Sequence, residues 1–192
     1  MKQVKKVSER TRTITGGALI AALALGGFGA YAASAAPAPA NQAPAAQAEA
    51  KTDAKNKNTT QSTHLTIDAA TKAAQTALDA AAKENQRVTV AVVDRNGNTI
   101  VTLRGDGAGP QSYEAAQRKA YTAVSWNAPT SVLAGRLAQN PTLKDIPGTL
   151  FLGGGAPVTS KNAPIAGIGV AGAPSGDLDE KFAQAGVAAL NK

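Results

Sequence analysis

The 192-residue sequence has no cysteine, one histidine (His64) and one methionine (Met1). The lack of cysteine excludes a structural disulfide, a thiolate metal site and a cysteine nucleophile. A single histidine cannot build a zinc-finger ligand set. Aromatic residues are scarce as well, at three Phe, three Tyr and one Trp. Any core must therefore be packed with Ala, Val, Ile and Leu. No G-x-x-x-x-G-K-[ST] run is present, which excludes the phosphate-cradling loop of nucleotide hydrolases. No serine lies in G-x-S-x-G, and His64 is the sole imidazole base, so a serine hydrolase is not expected.

The formal net charge of +7 is unevenly spread. Lys2, Lys5, Lys6, Arg10 and Arg12 precede residue 14, with Glu9 as the one acid among them. From residue 63 onward, 12 basic residues face 10 acidic ones. No basic stripe with interleaved aromatics remains, and nucleic acid is not an expected partner.

The cationic start is followed by Ile14–Leu25, whose strongly apolar part, Ala18–Leu25, spans eight residues. Small residues then come at Ala30-Tyr31-Ala32 and Ala33-Ser34-Ala35. This layout predicts a cleaved secretory signal peptide over 1–35. The apolar part is far short of the roughly 20 residues of a spanning helix. Residues 36–62 hold no aliphatic side chain larger than Ala. They cannot bury enough apolar surface to offset the entropy of ordering, and they read as a disordered Ala/Pro/Lys/Asn-rich linker. The folded unit is expected over 63–192, and the mature protein outside the cell or at its surface.

Within 63–192 the elements are legible. Thr66 is placed to cap a helix over Ile67–Glu84, with Ile67, Ala70, Ala74, Leu78 and Ala81 as its apolar stripe. The β-branched runs Val88–Val93 and Thr99–Leu103 flank Asn96-Gly97, a hairpin signal. Ser112 is read as the cap of a helix over Tyr113–Trp126. A short helix follows from Thr130 or Ser131 towards Asn140. Strands are expected at Thr149–Leu152, Pro157–Thr159 and Ile165–Ala171, and a last helix runs from Ser175 or Asp177 to Leu190. Hairpins with short connections predict an antiparallel sheet with helices on its faces, an α+β domain.

Three motifs have a functional and a structural reading. Gly167-Ile-Gly-Val-Ala-Gly172 matches G-x-G-x-x-G, but its glycines sit inside an apolar run. A strand glycine that admits a neighbouring backbone explains this better than a dinucleotide loop. Asp177-Leu-Asp-Glu180 suits helix capping better than cation binding. The segment Gly105–Pro110, running into Ser112 and Tyr113 with Arg104 before it, reads equally as an ordinary strand-to-helix connection and as the most promising ligand site. Its glycines allow close backbone approach, and a helix start beyond it favours an anionic group such as a propionate.

Several runs in order resemble the GlcG/HbpS family, also found as the C-terminal domain of PduO. They are Val90–Asn98, Arg104–Ala108, Arg118–Ala123, Pro147–Val158 and Gly167–Glu180. The resemblance covers essentially all of 63–192, and the leader and Ala/Pro-rich segment make the exported HbpS-like branch the nearest match. It implies a profilin-like antiparallel sheet of about five strands flanked by helices. It also implies a homo-octamer that binds haem and modulates a membrane sensor kinase under haem and oxidative stress. Haem degradation or a corrinoid cofactor are the alternatives it carries, and any catalysis would depend on the iron. The implied axial ligand is a hydroxyl oxygen, placed at Ser112, with Tyr113, Thr122 and Thr130 as the other candidates and Arg104 beside them. The branch's iron-binding D/E-x-x-E is broken here: Ala80-Ala81-Ala82 follow Asp79, and Glu84 comes five residues on. With no cysteine and no methionine after Met1, a sulfur ligand is unavailable to the domain.

Overall fold

The computed structural model describes residues 53–191. The expected leader and most of the linker lie outside the described residues. Residues 53–62 are exposed, with one 3-10 turn at Asn56–Asn58.

Eight main elements follow in order: α1 (Ile67–Lys83), β1 (Thr89–Asp94), β2 (Thr99–Arg104), α2 (Gln111–Trp126), α3 (Thr130–Ala134), β3 (Gly155–Ser160), β4 (Ala163–Ala171) and α4 (Gly176–Ala188). The strands form one antiparallel sheet in the order β2-β1-β4-β3. This is the expected α+β architecture with four strands rather than about five. The missing one is Thr149–Leu152. Side chains of α2 occupy its backbone instead of a ladder: Leu150 N–H donates to Thr122 Oγ1 (2.8 Å), and Arg118 Nη2 donates to Thr149 O (2.7 Å).

The period-2 alternation of β1 and β4 divides the core between two faces. Val90, Val92, Ala166, Ile168 and Val170 pack with α1 and α4 around Phe182. On the opposite face, Ala91 meets Ala116, and Val93 meets Ala120 and Val124 of α2. The register pairs Ala91 with Gly169 and Val93 with Gly167, so both β4 glycines lie under α2. A Cβ on Gly167 would sit 2.2 Å from Ala120 O, and one on Gly169 would sit 2.0 Å from Ala116 O. The G-x-G-x-x-G run is therefore a strand on which a helix backbone rests directly.

Local starts and stops follow the chemistry of single residues. Thr66 Oγ1 caps α1 by accepting from Ala69 N–H (3.2 Å). The stripe of α1 is buried through Ala70, Ala73, Ala74, Ala77 and Ala81, while Ile67 is 57% exposed at the first helical position. The β1–β2 turn is held by Asp94, whose Oδ1 accepts from the N–H groups of Asn96 (2.8 Å) and Asn98 (2.9 Å). Desolvation pushes the Asp94 carboxyl up, but these bonds outweigh it and hold its pKa below the ordinary 3.8. Gly97 supplies the positive φ (90°) of that turn. Among the described residues no helix is long and apolar enough to cross a membrane.

The helix-on-strand contact gives a direct test by urea denaturation. Gly169→Ala should cost at least the ~3 kcal/mol upper end of overpacking, because a helix backbone cannot step aside as a side chain can. Gly135→Ala, with nothing within 4 Å of its added methyl and a helical φ of −60°, should be neutral to about 1 kcal/mol stabilising. Equal effects from the two changes would contradict the direct seating of α2 on β4.

Candidate functional site

The β2–α2 connection and the first turn of α2 hold most of the expected site. Pro110, at φ −62°, is preset for helical backbone, and α2 begins at Gln111, two residues earlier than a Ser112 cap would allow. Ser112 is instead inside the helix and 1% exposed. Its Oγ donates to Gly109 O (2.6 Å), which leaves Thr89 Oγ1 to donate to it (2.7 Å). Ser112 thereby ties the start of α2 to β1. Its oxygen is enclosed and already bonded.

The other hydroxyls divide in the same way. Thr122 is fully buried, donating to Arg118 O (2.7 Å) and accepting from Leu150 N–H. Thr130 is fully buried and accepts from Gly155 N–H (2.7 Å). Tyr113 alone of these candidates reaches the surface, with 47% of its area exposed. Arg104 is exposed at the other end of the same connection, its guanidinium folded onto Ala108 O (Nε···O 3.2 Å). The structure thus brings Arg104, Ser112 and Tyr113 to one loop-and-helix strip. It puts Thr122 and Thr130 inside the body, where they fasten the Thr149–Gly155 segment.

His64 is exposed in the strand-free lead-in to α1, its Nε2 2.6 Å from Ser62 Oγ. Among the described residues no cluster of three His, Cys, Asp or Glu side chains could hold a metal ion. Asp179 and Glu180 are buried and serve the packing, while Asp177 is exposed. Ser175 Oγ is the cap of α4, accepting from Leu178 N–H. Glu180 accepts from Ser131 N–H (2.9 Å) and Ser131 Oγ (2.6 Å), and so holds the start of α3 against α4.

Sequence reasoning missed one pair. Lys119 is 5% exposed and Asp179 3%, with Nζ 2.8 Å from Oδ2. Lys119 Nζ also donates to Val170 O (3.1 Å), and Asp179 Oδ1 accepts from Ala173 N–H (2.9 Å). Burial pushes the Asp179 carboxyl up, and Lys119 and the loop N–H groups offset only part of that. One signal existed: Lys119 falls on the buried face of α2, at helical spacing with Ala116, Ala120 and Ala123.

A family model described as "Haem degrading protein HbpS-like" matches residues 65–188. A crystal structure of a double mutant of Streptomyces reticuli HbpS is 73% identical, covering 73% of this chain and 97% of that one, with a TM-score of 0.72. A crystal structure of HbpS is 74% identical over 71% of this chain and 97% of that one, TM-score 0.71. The PduOC:heme complex is 27% identical over 67% of this chain and 96% of that one, TM-score 0.62. No curated protein matches.

The buried pair predicts a strongly non-additive cycle. Lys119→Met or Asp179→Asn alone should cost about 3–5 kcal/mol by stranding a buried partner, and the double variant much less than their sum. Additive losses in chemical denaturation would show that the two side chains do not act as a unit.

Proposed function

The chain belongs to the HbpS-like family, and from that premise we propose that it binds haem through an oxygen donor on the exposed start of α2, with Tyr113 as that donor. One observation carries the assignment: of the hydroxyl side chains the resemblance singles out, Tyr113 is the one at the surface, while Ser112, Thr122 and Thr130 are buried with hydrogen-bond partners. The donor chemistry fits the group. A tyrosine oxygen is an established type of haem ligand, the described residues contain no Cys or Met, and the single His is peripheral. Haem bound there would supply a redox-active iron. Tyr113 would hold that iron through its phenolic oxygen. Arg104 would offer its guanidinium to a propionate. Ser112 would act indirectly, fixing the first turn of α2 through Thr89 and Gly109.

The three described cavities are lined by residues other than Tyr113. A large apolar ring system on this strip needs cover from elsewhere, and we infer that a second copy of the chain would supply it. This supports a homo-oligomer, with an octamer as the state carried by the resemblance.

We place the protein outside the plasma membrane after removal of residues 1–35, tethered or secreted, where it would report haem or iron status to a membrane sensor kinase. The cationic, apolar and small-residue segments of the leader support the export step. The family description favours a second reading, haem degradation. Iron released from hemin by peroxide no faster with the protein than without it would contradict that reading.

Hemin titration followed in the Soret band tests the ligand. Tyr113→Phe should lower affinity at least tenfold, and Ser112→Ala should leave it within about threefold while reducing stability by roughly 1 kcal/mol. Unchanged affinity in Tyr113→Phe would refute the assignment. Light scattering should give more than one chain per particle in the hemin complex, and a monomer binding hemin tightly would contradict the shared site. Mass spectrometry of the exported protein should find a mature start after Ala32 or Ala35. An intact leader on the functional protein would contradict export with cleavage.

A further inference from the structure

The Lys119–Asp179 pair lies at the wall of a cavity of about 460 Å³ that the haem reading does not use. The cavity runs between α3, the turn Gly153–Gly155 and the start of α4, with Ala134, Leu152 and Pro174 as apolar lining and Asp177 exposed at its rim. This size falls within the range of small-molecule sites. Lys119 and Asp179 are buried yet stand among the lining residues, and the glycine turn places no side chain over the ammonium. A Cβ on Gly154 would sit 2.7 Å from Lys119 Nζ, and Gly153 and Gly176 touch backbone to backbone, 2.9 Å from an added Cβ to Gly176 C.

The charges select the ligand. A lysine ammonium has three N–H donors, and Val170 O and Asp179 Oδ2 take two of them. The third is left for a guest. Lys119 and Asp179 cancel, and Asp177 leaves the rim net negative. A carboxylate guest would add a second uncompensated negative charge to that rim, and like charges repel. A neutral carbonyl oxygen can take the remaining charge-assisted bond without that cost.

We propose that this cavity is a second ligand site, separate from the Tyr113 strip, and that it takes a small primary carboxamide. The carbonyl accepts from Lys119 Nζ, the amide NH2 donates to the Asp177 carboxylate, and a short apolar tail lies against Ala134 and Leu152. Nothing in this assignment requires haem.

Three probes of equal length separate the possibilities on the whole protein: butanamide, butanoate and butylamine. Butanamide should shift the backbone resonances of Gly153, Ala173 and Gly176 saturably, with butanoate and butylamine at least tenfold weaker. Ala134→Phe, which fills the cavity from α3 without touching the buried pair, should abolish the butanamide shifts and leave hemin affinity unchanged. Lys119→Met combined with Asp179→Asn should weaken butanamide at least tenfold in a protein that still melts cooperatively. Butanoate or butylamine binding as well as butanamide, or butanamide shifts that survive Ala134→Phe, would overturn the proposal. Failure of hemin to bind would leave these outcomes unaffected, so the two readings fail separately.

Discussion

Everything distinctive in this domain depends on a helix lying on a strand with no side chains between them. Gly167 and Gly169 of β4 face the carbonyls of Ala120 and Ala116 at distances no Cβ would tolerate. The small residues of α2, Ala116, Ala120 and Ala123, complete the contact from the other side. Close seating of this kind exchanges bulky apolar burial for short range and fixed height. At that height Ser112 reaches Thr89, and Lys119 reaches a carbonyl of the strand beneath it. The same placement turns Tyr113 outward. Raising α2 by the thickness of one methyl group would disturb all three.

Ionic groups inside the body then fix how α4 and the glycine turn meet this layer. Lys119 to Asp179 joins α2 to α4, and Glu180 joins α4 to α3 and, through Gly154 N–H (3.4 Å), to the turn. Buried pairs of this type add little net stability, because desolvation consumes most of the Coulombic gain. Their effect is geometric: a wrong alignment strands a charge, so few alignments survive. Every buried side-chain polar atom of the described residues finds a partner. The cost of burying charge is thus met by saturation of hydrogen bonds.

The hairpin was readable because its determinants are local. Asp94, Asn96, Gly97 and Asn98 form the turn through bonds spanning at most four residues. The α4 start was readable for the same reason, through Ser175. Thr149–Leu152 was misread because its β-forming composition is indifferent to what satisfies its backbone, and here α2 does so from 28 positions away. Ser112 looked like a cap, but Pro110 starts the helix earlier and turns the serine inward. For the site, the residue types were legible and their burial was not. Ser112, Thr122, Thr130 and Tyr113 are equivalent as oxygen donors on paper, and only packing separates them. Lys119 and Asp179, 60 positions apart, carry no joint signature in the chain.

The proposed ligand strip, one exposed phenol with a buried serine holding its base, would suit reversible capture. An oxygen donor leaves ferric iron exchangeable, as a protein that reports or relays haem requires, and it differs from the nitrogen or sulfur ligation of electron-transfer haem proteins. The account therefore turns on the identity of the atom that touches iron. Resonance Raman spectra of the hemin complex, prepared with ordinary and ring-deuterated tyrosine, read that atom directly. Phenolate modes that move with the label are the predicted result. A low-spin spectrum with two nitrogen ligands and no label-sensitive band would contradict it.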